Sequence, residues 1–372
     1  MFKGFGCLNL IKLAFIPLTL SIFTAQCYAY TIGISLTTQN NERMYVEGPK
    51  IDKALRDRGY NTMLYYSGDG DAKLQKQHIE RFIANKVDLM IITPVDAVSI
   101  SDVVQKAIDQ NIKVVALNSM LATGKETAFV GFDNYKIGRM LGNLLKVNFD
   151  PKKAKKPYVI GMLLGDKQDV ATRETYEGFM SVVGDFFNAG TYRTVGGDFS
   201  YVGNSIPQAS TEVAYMVVYE AIEKFKQNPN NKLDVIVSSS DAMALAAHQA
   251  LEKHGLKEED MPFIIGTDAS AEGAYMLKNR HMQYTAFKNY KALTNRLVSI
   301  VDEIKESGEK EIKFTSNRMV AFADKYPPIK SYILDSTIIN QANWKGTLLD
   351  SSYYSEYEVD EIDEKYKIYN LR

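Results

Sequence analysis

Residues 58–117 read RGYNTMLYYSGDGDAKLQKQHIERFIANKVDLMIITPVDAVSISDVVQKAIDQNIKVVAL, and their rhythm decides the fold. Three short runs, NTMLYYS, VDLMIITP and IKVVALNS, are rich in β-branched and large apolar residues. Between them lie two stretches with apolar residues at helical spacing, through AKLQKQHIERFIANK and SISDVVQKAIDQN. Strands this apolar on both faces, alternating with helices, predict a parallel sheet covered on each side and joined by right-handed crossovers.

Upstream, YTIGISLT at 30–37 is a further strand and MYVEGPKIDKALRDRG a further helix. Downstream, TAFVGFD completes the first set and a helix through NYKIGRMLGNLLKVNF begins a second. That second set passes the basic DPKKAKKP to the strand YVIGMLLG, a helix through TRETYEGFMSVVGDF, the turn-rich GTYRTVGGDFS, and a long helix from Pro207 to Lys226. LDVIVSS, a helix through AMALAAHQALEKHG, and FIIGTD follow. The expected fold class is therefore α/β, with two doubly wound parallel-sheet lobes. MQYTAFK, a helix through LTNRLVSIVDEIKESG and a strand near RMVAFA come next. The segment 346–372 is acidic and tyrosine-rich with little apolar periodicity, so it reads as a solvated surface tail.

The 372 residues suffice for two lobes with their own cores. A formal net charge of −1 offers no clustered cationic field for nucleic acid. Residues 1–29 have lysines ahead of the apolar run LAFIPLTLSIFTA and small residues Cys27 and Ala29 before Tyr30, the pattern of a cleaved secretory signal. Export to a periplasm is expected. Both cysteines, Cys7 and Cys27, fall inside that signal, so the mature chain is expected to have neither disulfide nor cysteine metal site.

In open parallel sheets a ligand lies beyond the carboxyl ends of the strands. Short polar residues gather there: Asn40 in Thr37–Asn41, Ser67 and Asp69, Thr93–Asp96, Asn118, Asp133, Asp166 and Asp169, Ser240 and Asp241, and Asp268. Each is equally a preferred helix N-cap; as a set across two lobes they fit a polar crevice. The sequence has no phosphate loop, no dinucleotide-binding glycine motif, no HExxH and no GxSxG. His78, His248, His254 and His281 lie away from strand ends and read as surface or packing residues. Paired carboxylates such as Asp241 and Asp268 could serve as acid and base, but no nucleophile accompanies them. A binder is expected, without catalytic residues, cofactor or metal.

From Tyr30 to about Ala323 the chain resembles periplasmic sugar-binding proteins of the ribose, xylose and multiple-monosaccharide type, the soluble receptors of ABC importers. The resemblance is carried by the opening stretch and by FVGFDNYKIGRMLG, ATRETYEGF, SSSDAMALAAHQALEKHG and GTDASAEGAYMLKN. It implies a three-crossover hinge, with crossings near Phe132 and Asp133, near Lys288 and Asn289, and near Arg318. The first lobe is then 30–132 with 289–318, and the second 133–288 with 319–345. It implies a monomer that closes on a sugar or polyol and docks on an ABC permease. The alternative is a sensory receptor of the same fold that signals to a membrane histidine kinase.

Carried over by position, Asp268 accepts sugar hydroxyls, Lys288 is the polar hinge residue and Arg173 donates to the sugar. Arg43 and Met44 resemble the Arg-Trp pair that opens the first helix of the multiple-sugar type. Ser240 stands where relatives have asparagine before Asp241. Asn118 and Ser119 replace an Asp-Arg pair, Val170 and Ala171 stand where some relatives have asparagines, and Met44 replaces an aromatic ring. Tyr45, Tyr66, Phe132 and Tyr201 are candidates to stack on a sugar face, and each is equally a candidate core or rim residue. These departures imply a sugar-like ligand other than a common pentose or hexose.

Overall fold

The computed structural model describes residues 29–37, 42–67, 71–226, 232–308 and 312–367, without the side chains of 42–45, 226, 363 and 365–367. The signal-like segment, Asn40 and Asp69 lie outside the described residues, as does the side chain of Arg43.

The first lobe opens with β1 (Thr31–Leu36), α1 (Glu42–Asp57), β2 (Asn61–Tyr66), α2 (Ala72–Ala84), β3 (Leu89–Ile92), α3 (Ser101–Asp109), β4 (Lys113–Leu117) and β5 (Ala128–Phe132). Ile34 lies between Leu64 of β2 and Ile91 of β3 in parallel register. All four residues of β3 are buried, as a strand covered by helices on both faces must be.

The second lobe contains α4 (Asn134–Asn148), β6 (Tyr158–Leu163), α5 (Val170–Asn188), β7 (Tyr192–Thr194), α6 (Thr211–Lys226), β8 (Val235–Ser238), α7 (Asp241–Lys253), β9 (Phe263–Asp268), α8 (Ala271–Lys278) and β10 (Tyr284–Phe287). Then come α9 (Tyr290–Ser307), β11 (Arg318–Val320), β12 (Ile329–Leu334), β13 (Thr337–Asn340) and α10 (Glu356–Lys367). The two sheets run β11-β12-β5-β4-β3-β1-β2 and β13-β10-β9-β8-β6-β7.

The chain leaves β5 for α4, which packs on α5, and leaves β10 for α9, which packs on α1. At the α4–α5 contact a Cβ on Gly138 would lie 1.9 Å from Thr175 O, and one on Gly178 would lie 2.0 Å from Tyr135 O. Only glycine permits this backbone approach.

The third crossing lies at residues 335–336, not near Arg318. β11 pairs with β12, and β12 runs parallel to β5 with Leu334 opposite Phe132, so both complete the first sheet. Only β13 returns, antiparallel, to β10. Lys136 reaches from α4 to Asp335 at 2.6 Å, and Arg318 reaches Asp133 at 2.7 Å, so ion pairs tie the first crossing to the third and to β11.

Three local readings also change. GTYRTVGG contains β7, whose Tyr192 and Thr194 are buried while Arg193 is exposed. The helix expected from Pro207 begins at Thr211, because Gln208 and Ala209 have φ of 57° and 51° and interrupt it. The acidic tail is docked: Leu348, Tyr354, Val359 and Ile362 are buried in the second lobe's core with Met276 and Leu277. Its apolar residues are few, but they face α8.

Candidate functional site

Asp268 closes β9 and Asn118 closes β4, each with left-handed φ, 101° and 61° respectively. A non-glycine residue held in that region is strained, and such strain gathers at binding sites. Asp268 lies 3.4 Å from Lys288 Nζ through Oδ1, and among the described residues that buried oxygen accepts no hydrogen bond. Lys288 follows β10 directly, at the second crossing. Asn118 accepts a long contact, 3.5 Å, from the hydroxyl of Tyr290, whose ring meets Phe132 edge-on at 5.3 Å. Tyr290 went unnoticed in the sequence because an aromatic residue at a helix start gives no periodic signal.

Asp241 is fully buried. Its Oδ2 accepts from Ser270 N at 2.9 Å and its Oδ1 from the Thr285 hydroxyl at 2.8 Å. A Cβ on Gly266 or Gly273 would lie 2.1 or 2.2 Å from these oxygens, so the glycines make room for the carboxyl. Burial first, and the charge of Asp268 second, push the Asp241 carboxyl well above the usual carboxylate range, against the pull of Thr285 and Ser270. Both oxygens are therefore engaged inside the second lobe, tying α7 to the β9–α8 connection and to β10. Ser240 caps α7, its hydroxyl accepting from Met243 N at 3.3 Å. Asp169 caps α5, accepting from Ala171 N at 2.9 Å and the Thr172 hydroxyl at 2.7 Å.

Arg173 is exposed on α5, lies 5.8 Å above the Tyr201 ring and donates to Lys167 O at 3.1 Å. Tyr201 is almost buried. Its hydroxyl donates to Asp166 O at 2.7 Å, with Asp169 O at 3.2 Å, and so fixes the loop before α5. Burial and the charge of Asp169 raise the Tyr201 phenol, which stays a donor.

Asp96, after β3 in the first lobe, lies within electrostatic reach of Arg173 in the second. Burial draws its carboxyl up, but hydrogen bonds from Ser99 and Val98 and the Arg173 charge outweigh that and hold it low. Phe132 packs in the core and Tyr201 packs under Arg173, while Tyr66 is half-buried and the side chain of Tyr45 lies outside the described residues.

Two mostly parallel sheets flanked by helices and joined by three chain crossings define a two-lobe α/β binding-protein fold. The chain belongs to the family described as periplasmic binding protein domain, which matches residues 32–310. It is 25% identical to the multiple sugar-binding periplasmic protein SbpA of Azospirillum brasilense, over 88% of this chain and 90% of that one. It is 24% identical to the D-xylose-binding periplasmic protein of Escherichia coli, over 94% of this chain and 99% of that one. The solved ABC transporter solute binding protein from Clostridium phytofermentans with bound β-D-glucose superposes with a TM-score of 0.80, at 25% identity, covering 88% of this chain and 99% of that one. Among the described residues no helix is long and apolar enough to cross a membrane.

Proposed function

We propose that this chain is a periplasmic receptor that captures a sugar or sugar-like polyol between its lobes and delivers it to an ABC-type importer. The observation that carries the reading is Asp268 at the end of β9: its Oδ1 is buried, ion-paired with Lys288 at 3.4 Å, and among the described residues accepts no hydrogen bond. Relatives of nearly full length that are named for sugar binding support it.

The chemistry follows from the residue types. The Asp268 carboxylate accepts from hydroxyls, Lys288 and Arg173 donate to hydroxyl oxygens, and the Asn118 amide does either. Charge-assisted bonds of both signs select a ring by the direction of its hydroxyls. Asp241, Ser240 and Asp169 hold the helices and loops that carry these groups. Because Asp268 and Arg173 stand on the second lobe and Asn118 on the first, a ligand that touches all three favours the closed state. The relatives named for sugar binding support a binder rather than an enzyme.

A thermal-shift screen of monosaccharides, sugar acids and polyols tests the reading, since a ligand specific for the folded state raises the melting temperature. At least one is expected to stabilise the protein at micromolar concentration. A protein that responds to none of them at millimolar concentration is not a sugar receptor.

A further inference from the structure

His248 and Glu252 lie one turn apart on α7, so their side chains share a face. His281 joins them from the connection between α8 and β10. The two imidazoles stack with centroids 4.1 Å apart and planes 19° apart, and His248 Nδ1 lies 3.6 Å from Glu252 Oε2. One donor atom from each residue lies within 4.8 Å of the other two. His248 is buried, His281 half-buried and Glu252 exposed, so a nitrogen floor opens to solvent beside the carboxylate.

We propose that His248, Glu252 and His281 form a divalent transition-metal site on the second lobe. Two imidazole nitrogens and one carboxylate oxygen are a donor set suited to Zn2+. Bonds of about 2.0–2.2 Å need donors about 3.4 Å apart and the metal in the plane of each ring, so half-buried His281 must turn out of its stack on His248 as exposed Glu252 swings in. Three protein ligands leave a fourth position for water.

Position sets the consequence. His281 precedes β10 at the amino end of the sheet, whereas Asp268 stands at its carboxyl end. Strand rise of about 3.3 Å per residue puts roughly 10 Å between the ends of β10 alone, and His281 lies three residues further back, so the metal does not touch the crevice. Bound there, it ties the end of α7 to the α8–β10 connection and stabilises the lobe. His254 is committed elsewhere, its ring nitrogens facing Tyr219 O at 3.0 Å and Glu223 at 3.1 Å.

The test is titration of the tag-free mature protein with ZnCl2, by calorimetry and by thermal melting, with Co2+ spectra to read the geometry. One equivalent per chain is expected, with a melting temperature that rises with zinc and falls back on adding EDTA. Glu252→Gln and His281→Asn, whose folding is checked by circular dichroism without metal, are each expected to weaken binding at least tenfold. His78→Asn is expected to bind as the unaltered protein does. Uptake well below one equivalent, or equal uptake by both site variants, overturns the proposal. The readout uses no sugar, so it stands or falls separately from the receptor reading.

Discussion

Lys288 Nζ stands 3.4 Å from Asp268 Oδ1, and the two side chains are only 9% and 13% exposed. One residue ends β9 and the other follows β10 at the second crossing, so the pair joins a strand end to the chain passing between the lobes. Asp268→Asn keeps the shape and removes the charge. It is expected to weaken binding of the ligand found by screening about 10- to 100-fold, roughly 1–3 kcal/mol, the cost of an impaired charged hydrogen bond. Calorimetry reads this directly, and an unchanged dissociation constant would take Asp268 out of the site.

Asn118 holds φ at 61°, a conformation that asparagine tolerates better than most side chains. Asn118→Ala is expected to lower stability by about 1 kcal/mol, while Asn118→Gly leaves it nearly unchanged. Both remove the amide, so both should weaken ligand binding alike. Urea midpoints separate the two effects. Equal midpoints for Ala and Gly would show that backbone strain at this strand end is negligible.

Glu174 lies on α5 beside the first crossing and accepts from Asn134 Nδ2 at 3.1 Å. Burial raises its carboxyl to about 7, opposed by the Asn134 amide and assisted by the charges of Asp169, Glu177 and Asp133. The folded protein therefore holds a proton here that the unfolded chain releases near 4.5, the ordinary value for glutamate. The stabilisation is fully present below that value and is lost as pH rises through about 7. Glu174→Gln mimics the protonated form, so its stability relative to the unaltered protein should grow from pH 5 to pH 8, by about 3 kcal/mol at most. A difference that does not change with pH would refute the assignment.

How much of this the sequence revealed depended on the kind of signal. Alternating apolar strands and amphipathic helices such as 58–117 exposed the two parallel sheets, because their period is local. IKSYIL alternates buried and half-buried residues in β12, yet its pairing with β5 some two hundred residues away leaves no local trace, so the third crossing was misplaced. That short polar residues follow nearly every strand was legible. What separates Asp268 from Asp241 was not: both are aspartates after β-runs, and only the fold shows one beside Lys288 and the other enclosed by Gly266, Gly273, Ser270 and Thr285. His248 and His281 stand 33 positions apart in the sequence with nothing local to link them, and only the fold stacks their rings.

The tail's composition hid its packing. Leu348, Tyr354, Val359 and Ile362 are 0%, 7%, 1% and 6% exposed, and the Tyr353 ring meets Phe287 edge-on at 4.9 Å. The Tyr353 hydroxyl accepts from Tyr290 N at 3.1 Å and lies 3.5 Å from Lys288 O, so this segment braces the second crossing from behind. Burying each large apolar side chain contributes roughly 1.5–3 kcal/mol, so truncation after Trp344 should cost several kcal/mol and lower the urea midpoint sharply. Tyr353→Phe removes only the hydroxyl and is expected to cost about 1 kcal/mol. Because the hydroxyl touches the crossing itself, this variant should also alter the compaction that ligand produces in solution scattering. A truncated chain with an unchanged midpoint would return the tail to the solvated appendage that its charge suggests.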